Sequence, residues 1–376
     1  MKYRDFGKLG IKGSAFGLGC MRFNGEASGD TIIDEQKAIG LIRRAIDGGV
    51  TYMDTAYIYL DKTSEIVLGK ALRDGYRDRV TIATKMPMEY VHDRAEMQAL
   101  LDEELKKLQT DHIDFYLMHG IDKEKWEYFK SICAREFFED MKREGKIRYK
   151  CFSFHGPYEE FEYIINDWDW DMVQIQYNFM DVENQAGTRG LELAGRLGIP
   201  VVIMEGLLGG RLAKAPENVQ ALYDAFPVKR TPVEWAFRWL CNHPEVATVL
   251  SGCNEVEQID DNLRIFDTVE PGIMSDEELK LMDDVRAAYM SRTRIGCTGC
   301  RYCMPCPNGV DIPGVFAAWN NVSLYSVDPK QDWGLNQIKA NGAGADNCVA
   351  CGACEAACPQ HLGIIEGLKL AWKELG

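Results

Sequence analysis

Residues 50–85 read VTYMDTAYIYLDKTSEIVLGKALRDGYRDRVTIATK. Two short apolar runs, VTYMDT and VTIATK, each end on polar residues and are separated by an interval long enough for a crossover helix. That alternation is how parallel strands read, because a buried parallel strand needs apolar side chains on both faces. The same unit recurs from about Phe16 to Phe266, with further strand candidates in AFGLGCM, IDFYLMH, YKCFSF, MVQIQYN, PVVIME and VATVLS. Amphipathic stretches fill the gaps, among them Glu35 to Asp47, Ala95 to Leu108, Trp126 to Glu144, and Pro232 to Asn242 with Pro232 at a first helical position. Eight strands with eight helices predict a closed (β/α)₈ TIM barrel. A doubly wound open sheet is the alternative, but no GxGxxG follows the first strand.

The chain has 376 residues, 46% of them hydrophobic, enough for a large core and a smaller appendage. A formal charge of -15 without clustered Lys and Arg excludes a nucleic-acid partner. The start, MKYRDFGKLG, has no apolar signal region, and no run approaches a bilayer span, so a cytoplasmic protein with no membrane partner is expected. Thirteen cysteines on such a background point to ligation or buried thiols rather than disulfides. Cys20, Cys133, Cys151, Cys241 and Cys253 fall within apolar runs or helices and read as small buried residues.

The other eight crowd the C-terminus. After an acidic helix near Asp276 to Tyr289, SRTRIG reads as a linker, which divides the chain into 1–290 and 291–376. Cys348, Cys351, Cys354 and Cys358 form a CxxCxxCxxxCP run, the spacing with which ferredoxins hold 4Fe-4S cubes. Cys297, Cys300, Cys303 and Cys306 follow the same plan, with two residues instead of three before the last cysteine. In two-cluster ferredoxins the fourth cysteine serves the other cube. That exchange assigns Cys297, Cys300, Cys303 and Cys358 to one cluster, and Cys348, Cys351, Cys354 and Cys306 to the second. The intervening residues contain a helix near Ile312 to Leu324, a Gly-rich patch and then a final helix around Ile364 to Leu375, so the module reads as a mostly α-helical dicluster ferredoxin-like domain. Structural zinc also uses CxxC pairs, but it needs neither a third cysteine at that spacing nor the following proline.

Within the barrel, Asp54, Lys85 and His119 end three successive strands, and Tyr59 lies just beyond the first of them. Strand C-termini share one face of a barrel, so the four polar groups converge where barrel enzymes keep their active sites. From YRDFGKLGIKGSAFGLGCM through DTAYIY, TK, YLMH, VQIQYN and SGCNEVEQIDDNL, the sequence resembles the aldo-keto reductase superfamily over roughly residues 1–290. The tail makes it similar to the bacterial branch carrying a C-terminal ferredoxin-type domain.

The resemblance implies an NAD(P)H-dependent oxidoreductase acting on a small-molecule carbonyl substrate, with Tyr59 as general acid, Lys85 and Asp54 tuning it, and His119 orienting the carbonyl. It implies nicotinamide contacts at Ser153 and Gln174, although Phe154 stands where relatives have Asn. It also implies a pyrophosphate loop at Gly209, Gly210 and Arg211, and an adenosine site at Ser251, Gly252, Asn254, Glu255, Gln258 and Asn262. Glu255 replaces a cation that would greet a 2′-phosphate, which favours NADH over NADPH. Met21, Arg22, Phe23, Trp126 and His155 are candidates either for the mouth or for barrel packing.

Because a hydride carries two electrons and a 4Fe-4S cluster passes one, three roles for the tail stay open: relay to an external redox carrier, a structural or redox-sensing cap, or an electron-transfer module for which the barrel is only a docking scaffold.

Overall fold

The computed structural model describes residues 1–23 and 34–376. It divides into two compact units, one comprising Met1–Gly209 and Glu234–Asp276, the other Gly210–Val233 and Glu277–Gly376.

The first unit is a closed barrel. A hairpin of β1 (Tyr3–Asp5) and β2 (Lys12–Ser14) precedes eight barrel strands: β3 (Phe16–Gly19), β4 (Tyr52–Asp54), β5 (Thr81–Met86), β6 (Ile113–Ile121), β7 (Ile147–Phe154), β8 (Met172–Gln176), β9 (Val201–Met204) and β10 (Val246–Ser251). Each pairs in parallel with its sequence neighbour, and β10 closes against β3. Five lie within the apolar runs that predict them, while β5, β6 and β7 overlap theirs and extend one or two residues beyond.

The hairpin is absent from the sequence reading. It seals the barrel from below, since Phe6, between its strands, packs among Tyr52, Phe115, Met172 and Val202 inside the barrel, with its ring centroid 5.5 Å from that of Phe115. This apolar plug fills the end where the strands begin. Gly13 is required there, because a Cβ would meet the Phe6 ring at 2.5 Å. The opposite rim is left to polar side chains.

The single helix expected over Trp126 to Glu144 is two, Lys123–Ser131 and Ala134–Arg143. The break falls at Cys133, whose φ of 59° is left-handed. That one residue resets the helical phase so that Trp126 and Phe129, then Phe137, Phe138 and Met141, all face inward. Cys133 is consequently exposed, not buried as expected, whereas Cys20, Cys151, Cys241 and Cys253 are buried.

The second unit is helical. Ile312–Tyr325, Trp333–Ala340 and Ile364–Leu375 enclose a core of Val310, Ile312, Val315, Phe316, Leu335 and Leu368. Trp319 belongs to the same core, and its Nε1 donates to Glu374 at 2.7 Å. The SRTRIG segment is pinned rather than loose. The Arg294 and Ile295 amides donate to Asn320 Oδ1 at 2.9 and 3.2 Å, and Arg292 Nε donates to the Ser323 carbonyl at 2.7 Å. Polar pairing of this kind leaves no signal in a composition that is otherwise linker-like.

Candidate active site

Parallel pairing sets Gly19 of β3 beside Asp54 of β4, and Lys85 of β5 beside Leu117 of β6. Asp54 and Lys85 therefore share the strand-end rim, 2% and 1% exposed. Lys85 Nζ donates to Asp54 Oδ1 at 2.8 Å and to the Thr55 carbonyl at 2.7 Å, and its third donor points at Tyr59 Oη, 3.4 Å away. His119 packs edge-on to the Tyr59 ring, with centroids 6.0 Å apart. The structure brings all four sequence-predicted groups together.

Their electrostatics are set by burial and by one ammonium. Burial alone would discharge Lys85, but the Asp54 carboxylate and the Tyr59 oxygen outweigh it and hold the ammonium above its ordinary range. Burial also pushes the Tyr59 phenol up; Lys85 pulls it down, and burial prevails, so the group is a retained proton rather than a standing phenolate. His119 is pushed down to about 3 by burial, then by Lys85, His155 and Lys125. At neutral pH it is an uncharged imidazole able to donate one hydrogen bond.

Ser153 of β7 and Gln174 of β8 are register partners, 1% and 2% exposed. Ser153 Oγ accepts from the Gly120 amide at 2.7 Å. Gln174 Oε1 is buried without a hydrogen-bond partner. A buried acceptor left open is costly, and an amide N–H is what would satisfy it. The pair fits a ligand carboxamide.

Farther round the rim, Asn262 Nδ2 donates to Ser251 Oγ at 3.1 Å, and Gln258 Oε1 accepts from the Asn254 amide at 2.9 Å. Gly252 abuts Arg22, whose Cγ a Cβ would meet at 2.6 Å. Glu255 precedes the helix Val256–Phe266 and forms a 2.6 Å ion pair with Lys37. That pairing was not visible in the sequence, since 218 residues separate the partners. Gly209 and Gly210 take φ of 64° and 94° in the turn Leu208–Ala213. Gly209 belongs to the first unit, while Gly210 and Arg211 belong to the second. There Arg211 lies 3.7 Å from Asp332, itself 2% exposed. Trp126, a candidate for the mouth, is instead fully buried, stacked near Trp168 and Trp170 with Nε1 donating to Asp167 at 2.8 Å.

In the second unit the cysteines surround two cavities. Cys306, Cys348, Cys351 and Cys354 line one, and Cys297, Cys300 and Cys358 line the other, while Cys303 borders both. Ile312 forms part of both walls. Among the described residues, no three His, Cys, Asp or Glu side chains gather at a single-ion site. The thiols are spaced around a volume, as a cuboidal cluster requires.

Comparison with known proteins gives the class. Residues 15–287 match the aldo/keto reductase family, and residues 296–362 match the 4Fe-4S dicluster domain. The chain is similar to the aldo-keto reductase YhdN of Bacillus subtilis (strain 168), 38% identical over 130 residues, which is 32% of this chain and 39% of YhdN. It is 27% identical over 334 residues to the uncharacterized oxidoreductase YrpG of the same organism, covering 76% of this chain and 96% of YrpG. Among solved structures, a Bacillus halodurans aldo-keto reductase in its holo form superposes with a TM-score of 0.64 at 26% identity, over 76% of this chain and 96% of that one. A Klebsiella pneumoniae aldo/keto reductase in complex with NADP and acetate gives a TM-score of 0.62 at 26% identity, over 76% of this chain and 95% of that one. The chain belongs to the aldo/keto reductase family: it is an oxidoreductase of that family with a C-terminal 4Fe-4S dicluster domain.

Proposed function

We propose that the enzyme reduces an aldehyde or ketone with a nicotinamide nucleotide, or oxidises the corresponding alcohol, at Asp54, Tyr59, Lys85 and His119. The observation that carries this reading is the Tyr59 hydroxyl 3.4 Å from an ammonium that is itself locked to Asp54. The nucleotide supplies the hydride; Ser153 and Gln174 hold its carboxamide, and the Klebsiella relative's complex with NADP supports such a ligand.

The residues divide the remaining work. As the carbonyl oxygen gains charge, neutral His119 and the Tyr59 hydroxyl both donate to it, and Tyr59 releases its proton there. Lys85 lowers the cost of the phenolate that is left, and Asp54 keeps Lys85 charged and in place. Because His119 is already neutral and Tyr59 stays protonated, the reductive rate should be flat through pH 6.5, the ordinary histidine value, and fall only at alkaline pH. A pH profile of para-nitrobenzaldehyde reduction checks this. A rate that drops as pH rises through neutrality would instead require an imidazolium.

The nucleotide we propose is NADH. A 2′-phosphate would meet the Glu255 carboxylate and compete with it for Lys37. Glu255→Arg should move the ratio of kcat/KM values towards NADPH by about tenfold, roughly 1.4 kcal/mol. An unchanged ratio in side-by-side turnover would remove Glu255 from the selectivity.

The clusters we propose are two 4Fe-4S cubes, one on Cys297, Cys300, Cys303 and Cys358 and the other on Cys306, Cys348, Cys351 and Cys354, supported by the two cysteine-lined cavities. They form a one-electron module serving an external redox carrier. Among the described residues no helix is long and apolar enough to cross a membrane, in keeping with the cytoplasmic location we propose.

A further inference from the structure

The loop that carries Tyr59 leaves β4 at Thr55 and ends at the helix Ser64–Ala71. Inside it Leu60, Asp61 and Lys62 hold φ of 53°, 51° and 62°, three consecutive non-glycine residues in the left-handed region. Such a conformation persists only where the surroundings over-determine it. Here the surroundings are a pair of buried hydroxyls that close the loop.

Thr55 Oγ1 and Ser64 Oγ lie 2.8 Å apart, and Ser64 Oγ donates to the Cys20 carbonyl at 2.9 Å. A hydroxyl has one proton, so Ser64 accepts from Thr55 and the direction of the chain is fixed. Both residues are fully buried. Thr55 is tied twice more: its amide donates to the Ala83 carbonyl at 2.9 Å, and its carbonyl accepts from Lys85 Nζ at 2.7 Å. Beside Ser64, Glu65 Oε1 accepts from Thr84 Oγ1 at 2.6 Å. The far end of the loop is thereby fastened just past the end of β3 and to β4 and β5, the two strands that deliver Asp54 and Lys85.

We propose that Thr55 and Ser64 are positioning residues that hold the Tyr59 hydroxyl within reach of the Lys85 ammonium, an inference that rests on Tyr59 being the proton donor. Opening the Thr55–Ser64 closure lets the Tyr59 oxygen drift from Lys85. The attraction that favours the phenolate weakens with distance, so the phenol ionises at higher pH and proton transfer slows. The contacts at Ser153 and Gln174 lie on other strands and are untouched.

The test uses the full chain with its iron content verified, in the variants Ser64→Ala and Thr55→Val, with Thr55→Ser as the conservative control and Tyr59→Phe as the reference. Turnover of para-nitrobenzaldehyde gives kcat and the nucleotide KM. The near-ultraviolet phenolate absorbance, taken as a difference against Tyr59→Phe, gives the Tyr59 ionisation without any need for turnover. Expected are a kcat about 10–100-fold lower, a nucleotide KM within about twofold of parental, and a Tyr59 ionisation moved upward in both hydroxyl-less variants, with Thr55→Ser close to the parent. Parental kcat and ionisation in both variants, alongside an inactive Tyr59→Phe, would overturn the positioning role and leave Tyr59 as donor. Full turnover in Tyr59→Phe would overturn the donor itself. Equal losses of kcat and nucleotide affinity in all three hydroxyl variants would mean general loosening, which also overturns it.

Discussion

Tyr59→Phe should lower carbonyl reduction by about 10²–10⁴-fold while nucleotide binding stays at the parental level. The substitution removes one oxygen from a site otherwise left intact. Lys85 still has Asp54 Oδ1 at 2.8 Å and the Thr55 carbonyl at 2.7 Å, so the ammonium stays paired and the rim does not collapse. What disappears is the acid. His119, at about 3, cannot replace it, because a group already neutral at pH 7 has no labile proton of matched strength to give. Steady-state turnover with a parallel fluorescence titration of the nucleotide separates the two effects. Retained turnover would mean the proton comes from elsewhere.

The second large effect concerns the cysteines. If the fourth ligand of each cube comes from the other motif, Cys306→Ala should damage the cluster held by Cys348, Cys351 and Cys354, whereas Cys358→Ala should damage the one beside Cys297 and Cys300. Each variant should lose roughly half of about eight irons per chain. The cavity walls support that crossing, for Cys306 and Cys358 each line the cavity opposite their own motif. Iron and sulfide analysis on anaerobically purified protein reads the content, and spectra of Cys306→Ala and Cys348→Ala should resemble each other more than either resembles Cys297→Ala. Spectra grouping Cys306→Ala with Cys297→Ala would assign each motif to its own cluster.

The strands and the convergent polar groups were legible because burial on both faces forces apolar runs, and because a polar residue closing such a run has only the rim to occupy. Asp54, Lys85 and His119 could therefore be placed from sequence. The hairpin around Phe6 escaped because its three-residue strands, Tyr3–Asp5 and Lys12–Ser14, are half polar and too short to show a period. The break at Cys133 escaped because a left-handed residue has no composition signal unless it is Gly or Asn. For Trp126 the sequence left mouth and barrel packing both open, since its position after a strand does not say which way the ring turns, and the fold places it in the packing. The Lys37–Glu255 pair and the Thr55–Ser64 closure depend on distances between common polar residues, and only the folded chain supplies those.

The most direct test of the central claim is the isotopic fate of the reducing hydrogen. Para-nitrobenzaldehyde would be reduced by the holoenzyme with NADH or NADPH deuterated at the hydride carbon, and the alcohol examined by mass spectrometry. The account predicts one deuterium on the former carbonyl carbon, delivered directly to a substrate held by His119 and Tyr59. An alcohol formed at the same rate without deuterium would contradict it, showing that the reducing electrons reach the substrate separately from hydrogen and that the barrel site does not perform hydride transfer.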